Sequence, residues 1–429
     1  MRHNFFSSQM YEFYSQFYFF LIFVEMKTVL LFLGCLPTIF FGQNIQGIQL
    51  FNPKTNDQTA IIALGESLVL RFDDLDNTST RYRYTLKHYD RNWEDDGLFY
   101  SEYAAGPLNA VIEDFEFSFN TLQKYTHYHL TLPNDKIKMK ISGNYEIIVY
   151  KDSPRQPVFT KRFSVYENGM EIAVRQSRMS VTPSSLAKNQ RIEVVGIAQN
   201  AELLSNANSF GLTVLQNNNW QTAKTNIPPS GVMGNQLAYQ QLDLAFSGNN
   251  QFFYFDNKNM NMSFDRVAGG EIIDGVNHTY LHPIMAYPLT YQYQPDVNGA
   301  YYFRRNDLGI ERNADKEGDY AWVYFYLDSE PYNKEIYILG AFNEYKADEK
   351  YKMFYDTEKQ QYVAKIYLKQ GFYNYILATK ETDGKLNFGE INGNFWETSN
   401  LYQALLYYRP FGRNYDGILG YGELRKQIR

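Results

Sequence analysis

Three groups of residues in this 429-residue chain have side chains and spacings that catalysis or metal binding would need. Ser185 and Lys188, in Ser185-Leu-Ala-Lys188, have the spacing of a serine nucleophile activated by a lysine on the same helical face. His127 and His129 stand two apart, which on a strand puts both imidazoles on one face and could begin a metal site. Asp90, Glu94, Asp95 and Asp96 gather carboxylates in a short stretch, as calcium would require.

Each group lacks part of what its chemistry demands. Ser185 follows Pro183 in a polar stretch before a strand, and no Ser-Asp-Asn or Lys-Thr-Gly partner occurs, so chance spacing is the better account. Zinc takes three or four ligands, and no third ligand stands at a convincing distance from the histidines; a hydrogen-bonded pair on a sheet surface is the simpler reading. The acidic cluster lacks the glycine-punctuated pattern of a calcium-binding loop and reads as a solvated turn. A glycine-rich phosphate loop, His-Glu-x-x-His and Gly-x-Ser-x-Gly are all missing. The expectation is a non-enzymatic protein with no catalytic residues, no metal site, no cofactor and no small-molecule substrate. Net charge is -6 without clustered basic residues, which excludes a nucleic-acid groove.

The elements that would carry these residues are strands. Aromatics are 17% of the chain, with 38 Tyr and 32 Phe, side chains that favour half-buried pleated surfaces. Tyr82, Tyr84, Leu86 and His88 alternate with Arg81, Arg83, Thr85 and Lys87, and Phe115, Phe117 and Phe119 alternate with Asp114, Glu116 and Ser118. Asp76-Asn77-Thr78, Pro133-Asn134-Asp135 and Ser142-Gly143 punctuate such runs. The pattern predicts an all-β protein of consecutive immunoglobulin- or fibronectin-like β-sandwich domains. A first sandwich is expected over 44–167 and a second, with long loops, over 168–305. A polar linker over 306–318 and a C-terminal sandwich over 319–429 follow. Residues 257–300 read as irregular, a length that marks packing or function.

At the N-terminus, Met26-Lys27 and the apolar run Val29–Phe41 form a compact export signal, 26–42, with Gln43 beginning the mature chain. Residues 1–25 then read as an overextended start. One long anchor from Phe17 to Phe41 is the alternative, but Glu25 and Lys27 interrupt it. The single cysteine, Cys35, lies inside this leader; lipidation there is the lesser reading because the apolar run continues past it. The mature chain would contain no cysteine and need no disulfide staples.

In the C-terminal region Ile338-Leu-Gly-Ala-Phe-Asn-Glu-Tyr345, with Gly371-Phe-Tyr-Asn-Tyr375, resembles the early-set sandwiches of carbohydrate-binding modules. Tyr345 stands where such modules often place a sugar-stacking Trp, so a glycan-binding protein is the alternative function. The fold is widely reused without sugar binding, which favours a structural role.

A more extensive likeness runs through the whole chain from about 44 to 429. Trp93, then Glu102-Tyr103, then Ile112–Thr121 with Asp114, Ser118, Asn120 and Thr121, recur in a fixed order. Tyr125–Tyr128 with His127 and Tyr128, Leu132-Pro133-Asn134, and Ser142–Tyr145 with Gly143 and Tyr145 continue it. Further on come Gln251-Phe252 with Phe255-Asp256, Asp296-x-Asn298-Gly299, and Gly393-Asn-Phe395. This ordered set resembles the type IX secretion system plug proteins of Bacteroidetes. The resemblance implies a periplasmic protein, peripherally associated with the outer membrane. It would dock on the translocon β-barrel and block its periplasmic opening when cargo is absent, with other secretion-system components as further partners. The motif residues are expected to be structural, and the docking residues are not legible. Loops 90–111 and 257–300 are the first candidates.

Overall fold

The computed structural model describes residues 44–56, 58–178, 182–286 and 289–425. The expected leader, Cys35 included, lies outside these residues. From Ile45 onward the chain forms one compact all-β unit in which three sandwich-like bodies pack together.

The first body faces a four-stranded sheet against a five-stranded one. Ile45–Phe51, Leu68–Asp74, Thr126–Leu132 and Asp114–Phe117 make the smaller sheet, in that order. Ile61–Ala63, Phe159–Tyr166, Gly143–Tyr150, Arg83–Tyr89 and Ala110–Val111 make the larger. Alternation sends Leu68, Leu70, Phe72, Tyr128 and Leu130 inward from one sheet and Tyr84, Leu86, Tyr145, Ile147 and Val149 from the other. The aromatic composition is used here: the Phe72 and Tyr128 rings stack at 4.9 Å, and Tyr82 meets both edge-on. Phe115, Phe117 and Phe119 share the alternation but not the burial. Their strand is a sheet edge, exposed at every residue.

Chain order and spatial order part company after residue 168. The second body pairs Met170–Ser177, Asn189–Ala198, Gln236–Tyr239 and Gly231–Met233, with Ala245–Ser247 added to Asn189–Ala198. Its other sheet is Asn219–Ile227, Phe210–Gln216, Leu401–Tyr408 and Gly417–Arg425. The last two strands therefore return from the far end of the chain. Leu401–Tyr408 is buried on both faces: Tyr402, Ala404 and Leu406 enter this core, and Leu405 and Tyr407 pack on the other side with Ile61 of the first body.

The third body is one continuous sheet of eleven strands that folds over a single core. It takes Tyr320–Asp328, Glu335–Leu339, Gln361–Lys369 and Gly371–Lys380 from the expected C-terminal region. It also takes Phe253–Asp256, Val267–Ile273, Val276–Leu281 and Tyr301–Phe303 from the region expected to belong to the second sandwich. A division into 168–305 and 319–429 is thus replaced by interleaved segments. The reason is physical: a strand is claimed by whichever sheet buries its apolar face, and sequence proximity only favours this. Residues 257–300 are not irregular throughout, since Asp274-Gly275 closes a hairpin with both residues at positive φ. Nor is 306–318 a free linker. Arg305–Asp307 pairs with Ile310–Arg312, and a short helix, Ala314–Glu317, leads back to the first body.

Candidate functional site: a buried junction beside an open edge

The residues that suggested chemistry are each occupied otherwise. Ser185 opens the helix Pro183–Lys188: its amide donates to Thr182 Oγ1 at 3.1 Å and its hydroxyl donates to the Thr182 carbonyl at 2.9 Å. That is a helix cap in an exposed hydrogen-bond set. His127 and His129 do share a face, but each meets a carboxylate on a neighbouring strand: His127 Nδ1 with Asp73 at 2.6 Å, His129 Nδ1 with Asp114 at 3.2 Å. The acidic cluster is dispersed. Asp90 accepts turn amides from Asn92 and Glu94, Asp95 pairs with exposed Lys87, and Asp96 is buried against His88 Nδ1. Among the described residues no three His, Cys, Asp or Glu side chains are arranged to hold a metal ion.

Most motif residues serve the first body itself. Glu102 accepts the Phe99 amide at 2.7 Å, and the Tyr103 hydroxyl donates to the Leu86 carbonyl. Ser118 accepts the Tyr125 amide and the Thr121 hydroxyl. Tyr128 donates to the Thr80 carbonyl, and Tyr145 to that of Ile141. Asn134, after the cis peptide Leu132-Pro133, accepts the Lys136 and Ile137 amides at 2.9 Å. Gly143 is required by position: at φ +142 a Cβ would stand 2.1 Å from His88 Nε2. In the third body the Phe252 amide donates to Asp296, and Asp256 pairs with Arg304.

Other motif residues reach across bodies. The Trp93 ring meets Trp220 of the second body edge-on at 5.4 Å, with the Arg162 guanidinium over it. Asn120, at positive φ, offers its carbonyl to Arg305 Nη1 at 2.8 Å. His127 touches the most buried charge cluster in the molecule's junction with the third body. There Asp73 accepts from His127, from Lys369 Nζ at 2.6 Å and from the Tyr320 hydroxyl at 2.7 Å. The Asp73 and Lys369 side chains are each only 1% exposed. Burial alone would raise the Asp73 carboxyl; the Lys369 ammonium and the His127 ring outweigh it and hold it below the usual carboxylate range. Lys369 also lies over the Tyr125 ring at 4.3 Å, and the Tyr125 hydroxyl donates to the Gly318 carbonyl. Asp319 accepts the Leu122 and Gln123 amides.

Two further junctions complete the assembly. Arg91 Nε donates to buried Asp416 at 2.8 Å, and the Tyr407 hydroxyl to Asn144 at 2.8 Å, tying the first body to the second. Lys161 pairs with Glu344, whose carboxyl burial would raise but two lysines push down to about 2. Tyr345 is 2% exposed and donates to the Asn217 carbonyl at 3.0 Å, so it is a contact between bodies and not a sugar platform. Lys369, Asp73 and Asp416 carried no sequence signal, because a charged residue near a strand end is ordinarily solvated.

The outer face of the third sheet carries Trp322, Tyr324, Tyr280 and Tyr367. Tyr280 stacks on Tyr324 at 4.8 Å, and Lys365 lies over Trp322 at 4.5 Å. Tyr280 and Tyr324 thus each give one ring face to the other, and Lys365 takes one face of Trp322. Against this, Phe115, Phe117 and Phe119 at the edge of the first body are 39%, 52% and 68% exposed, with Leu122 beside them at 47%. These four side chains form an exposed apolar cluster, the composition of a candidate interaction surface.

The fold is thus a set of packed β-sandwiches joined by buried polar contacts, with an apolar edge left open. Residues 45–167 match the profile described as Type 9 secretion system plug protein 1st domain. A crystal structure of a hypothetical protein from Parabacteroides merdae ATCC 43184 superposes with a TM-score of 0.83 at 30% identity, covering 89% of this chain and 97% of that one. Trypsin-activated alpha-2-macroglobulin from Escherichia coli also aligns, at 9% identity over 86% of this chain and 26% of that one; its TM-score of 0.19 carries no argument. No curated protein matches the chain. The chain belongs to the type 9 secretion system plug protein family, a family of secretion components and not of enzymes.

Proposed function

We propose that this protein docks from the periplasm on the outer-membrane translocon β-barrel of the type IX secretion system and closes its periplasmic opening when no cargo occupies it. A barrel wide enough for folded cargo leaks unless it is blocked. The blocker must resist deformation, and the observation that carries the reading is the Asp73–Lys369–Tyr320 cluster. Its members come from distant parts of the chain and are fully buried between two bodies, which makes the junction one rigid piece. Interfaces that release on demand combine a few aromatic anchors with a polar rim. The exposed phenylalanines beside Asp114 and Glu116 have that composition.

The test is affinity capture of the tagged protein from envelope extracts of its native host, followed by mass spectrometry. A very large β-barrel protein should be recovered in complexes that hold no secreted cargo. Recovery of barrel and cargo in the same complex, or of no barrel, would remove the reading.

A further inference from the structure

Asp114–Phe117 is the last strand of its sheet and is bonded on one side only, to Thr126–Leu132. The Ser118 amide donates to the Tyr125 carbonyl at 2.8 Å, which fixes the alternation of this antiparallel pair. Asp114, Glu116 and Ser118 turn their backbone groups toward the neighbouring strand; Phe115 and Phe117 turn theirs outward. Phe119 continues the outward series, and its amide donates to the Lys316 carbonyl at 2.8 Å. The edge is therefore closed at Phe119 by the segment before Tyr320. At Phe115 and Phe117 it is open, with no backbone partner among the described residues.

Three other edges are blunted. Ile45–Phe51 is covered by the third body, where the Tyr301 hydroxyl donates to the Ile48 carbonyl at 3.0 Å. Val267–Ile273 carries a register shift between Val267 and Gly269 and the pair Gly269-Gly270. Asn219–Ile227 carries two register shifts and Lys224. Bulges, glycines and lysines are the usual protection against strand addition. Asp114–Phe117 has none of these. Its register is regular, and Phe115 and Phe117 lie on one side with ring centroids 6.1 Å apart.

We propose that this edge receives an extended segment of a partner protein as an added strand. The segment's chemistry follows from the two faces of the edge. Apolar side chains would cover Phe115 and Phe117, and alternate Lys or Arg side chains would meet Asp114 and Glu116. The present partners of those carboxylates, His129 at 3.2 Å and Lys316 at 3.4 Å, form exposed pairs that exchange at little cost. The identity of the partner rests on the plug reading: the segment belongs to the periplasmic side of the translocon. The barrel's own strands are paired all round, so the donor is a loop.

The decisive measurement is amide hydrogen exchange of the mature chain, alone and with purified translocon in detergent. Protection at Phe115 and Phe117 should rise at least ~10-fold in the complex, and Phe117→Pro should weaken binding by at least ~10-fold. That substitution removes an outward amide and leaves the ladder intact; Phe115→Ser/Phe117→Ser is the second variant, expected to weaken binding similarly. A complex that forms without protecting these amides overturns the added strand and leaves the plug reading standing. If no complex forms, the plug reading fails. A synthetic octapeptide of alternating Val and Lys then decides the edge: protection that is lost when alternate residues are N-methylated supports it, and no protection overturns it. Protection that rises with protein concentration alone makes a second copy the occupant and overturns the proposal.

Discussion

Glu116, His127 and Asp73 are cross-strand neighbours on one row of one sheet, yet the row crosses from water to a sealed interior. At its outer end Glu116 is solvated and the phenylalanines around it are bare. At its inner end Asp73 is 1% exposed and holds three donors. Chain composition would have reversed this, burying the phenylalanines and exposing the acid. The difference teaches where the molecule keeps its shape and where it meets others. The buried Asp73 carboxylate holds Lys369, His127 and Tyr320 as donors, which fixes two bodies in one geometry. At the outer end of the row, by contrast, exposed phenylalanines coincide with an edge whose outward backbone groups are unpaired among the described residues.

The contrast breaks most sharply at Lys369. Lys369→Met should cost about 3–5 kcal/mol in denaturant unfolding, because Asp73 would keep its charge without its cation. Adding Asp73→Asn should recover part of that loss, since a neutral amide strands no charge. A cost below ~1 kcal/mol for the single variant would mean the junction opens to water and is not what locks the bodies. Next in size is Tyr320→Phe, which removes one donor to a charged acceptor at 2.7 Å and should cost about 1.5–3 kcal/mol, read as a shift in the urea midpoint.

Acid should act on the junctions and not on the edge. Asp73 is held low, and Glu344 is pushed down to about 2, so both contribute stability that is present above their unfolded pKa values. That contribution is lost as pH falls from about 4.5 toward about 2. Asp296 has the opposite sign. Burial raises it to about 6, so folding is favoured by its protonation as pH falls from about 6 toward 4. A thermal melting profile should therefore reach its maximum near pH 5 and fall on the acid side, and Lys161→Met should flatten the acid limb. A midpoint that declines steadily from pH 7 downward would contradict the Asp296 assignment.

How much of this was legible in the sequence follows from what each feature depends on. The first body's core was readable because Tyr82, Tyr84, Leu86 and His88 alternate within one strand, and period two is a local property. The motif residues were readable as a set, and many proved to be caps and turn residues such as Glu102, Ser118 and Asn134. Asp274-Gly275 is a two-residue hairpin signal, but the Tyr-, Pro- and Asn-rich sequence around it masks the strands that it joins. By contrast, the return of Leu401–Tyr408 to the second body depends on a partner nearly two hundred residues earlier, Phe210–Gln216, as in the register Phe210 to Tyr408. The exposure of Phe115 and Phe117 was hidden for the same reason: alternation names a face, and only the position of the strand within the sheet decides whether anything covers it.

The smallest expected effect is the most discriminating. Phe115→Ser/Phe117→Ser removes two aromatic rings from a protein whose other aromatics hold its cores together. If those rings are a lid over the first core, their loss exposes Phe72 and Tyr128, and the cost should approach that of a core truncation, about 3 kcal/mol or more. The geometry argues otherwise. Phe72 and Tyr128 are 0% exposed and are covered by each other, by Tyr82 and by Phe159; Phe115 also meets the Tyr128 ring at 5.5 Å, whereas Phe117 is half open to water. Phe117 loses little burial on truncation and should cost within about 0.5 kcal/mol, and Phe115, which also gives up its contact with Tyr128, should cost about 1 kcal/mol, so the double variant stays well short of a core truncation. A small effect on stability combined with lost attachment to the translocon would assign the edge to the partner; a large loss of stability would return both rings to the core and remove the contrast between the two ends of the sheet.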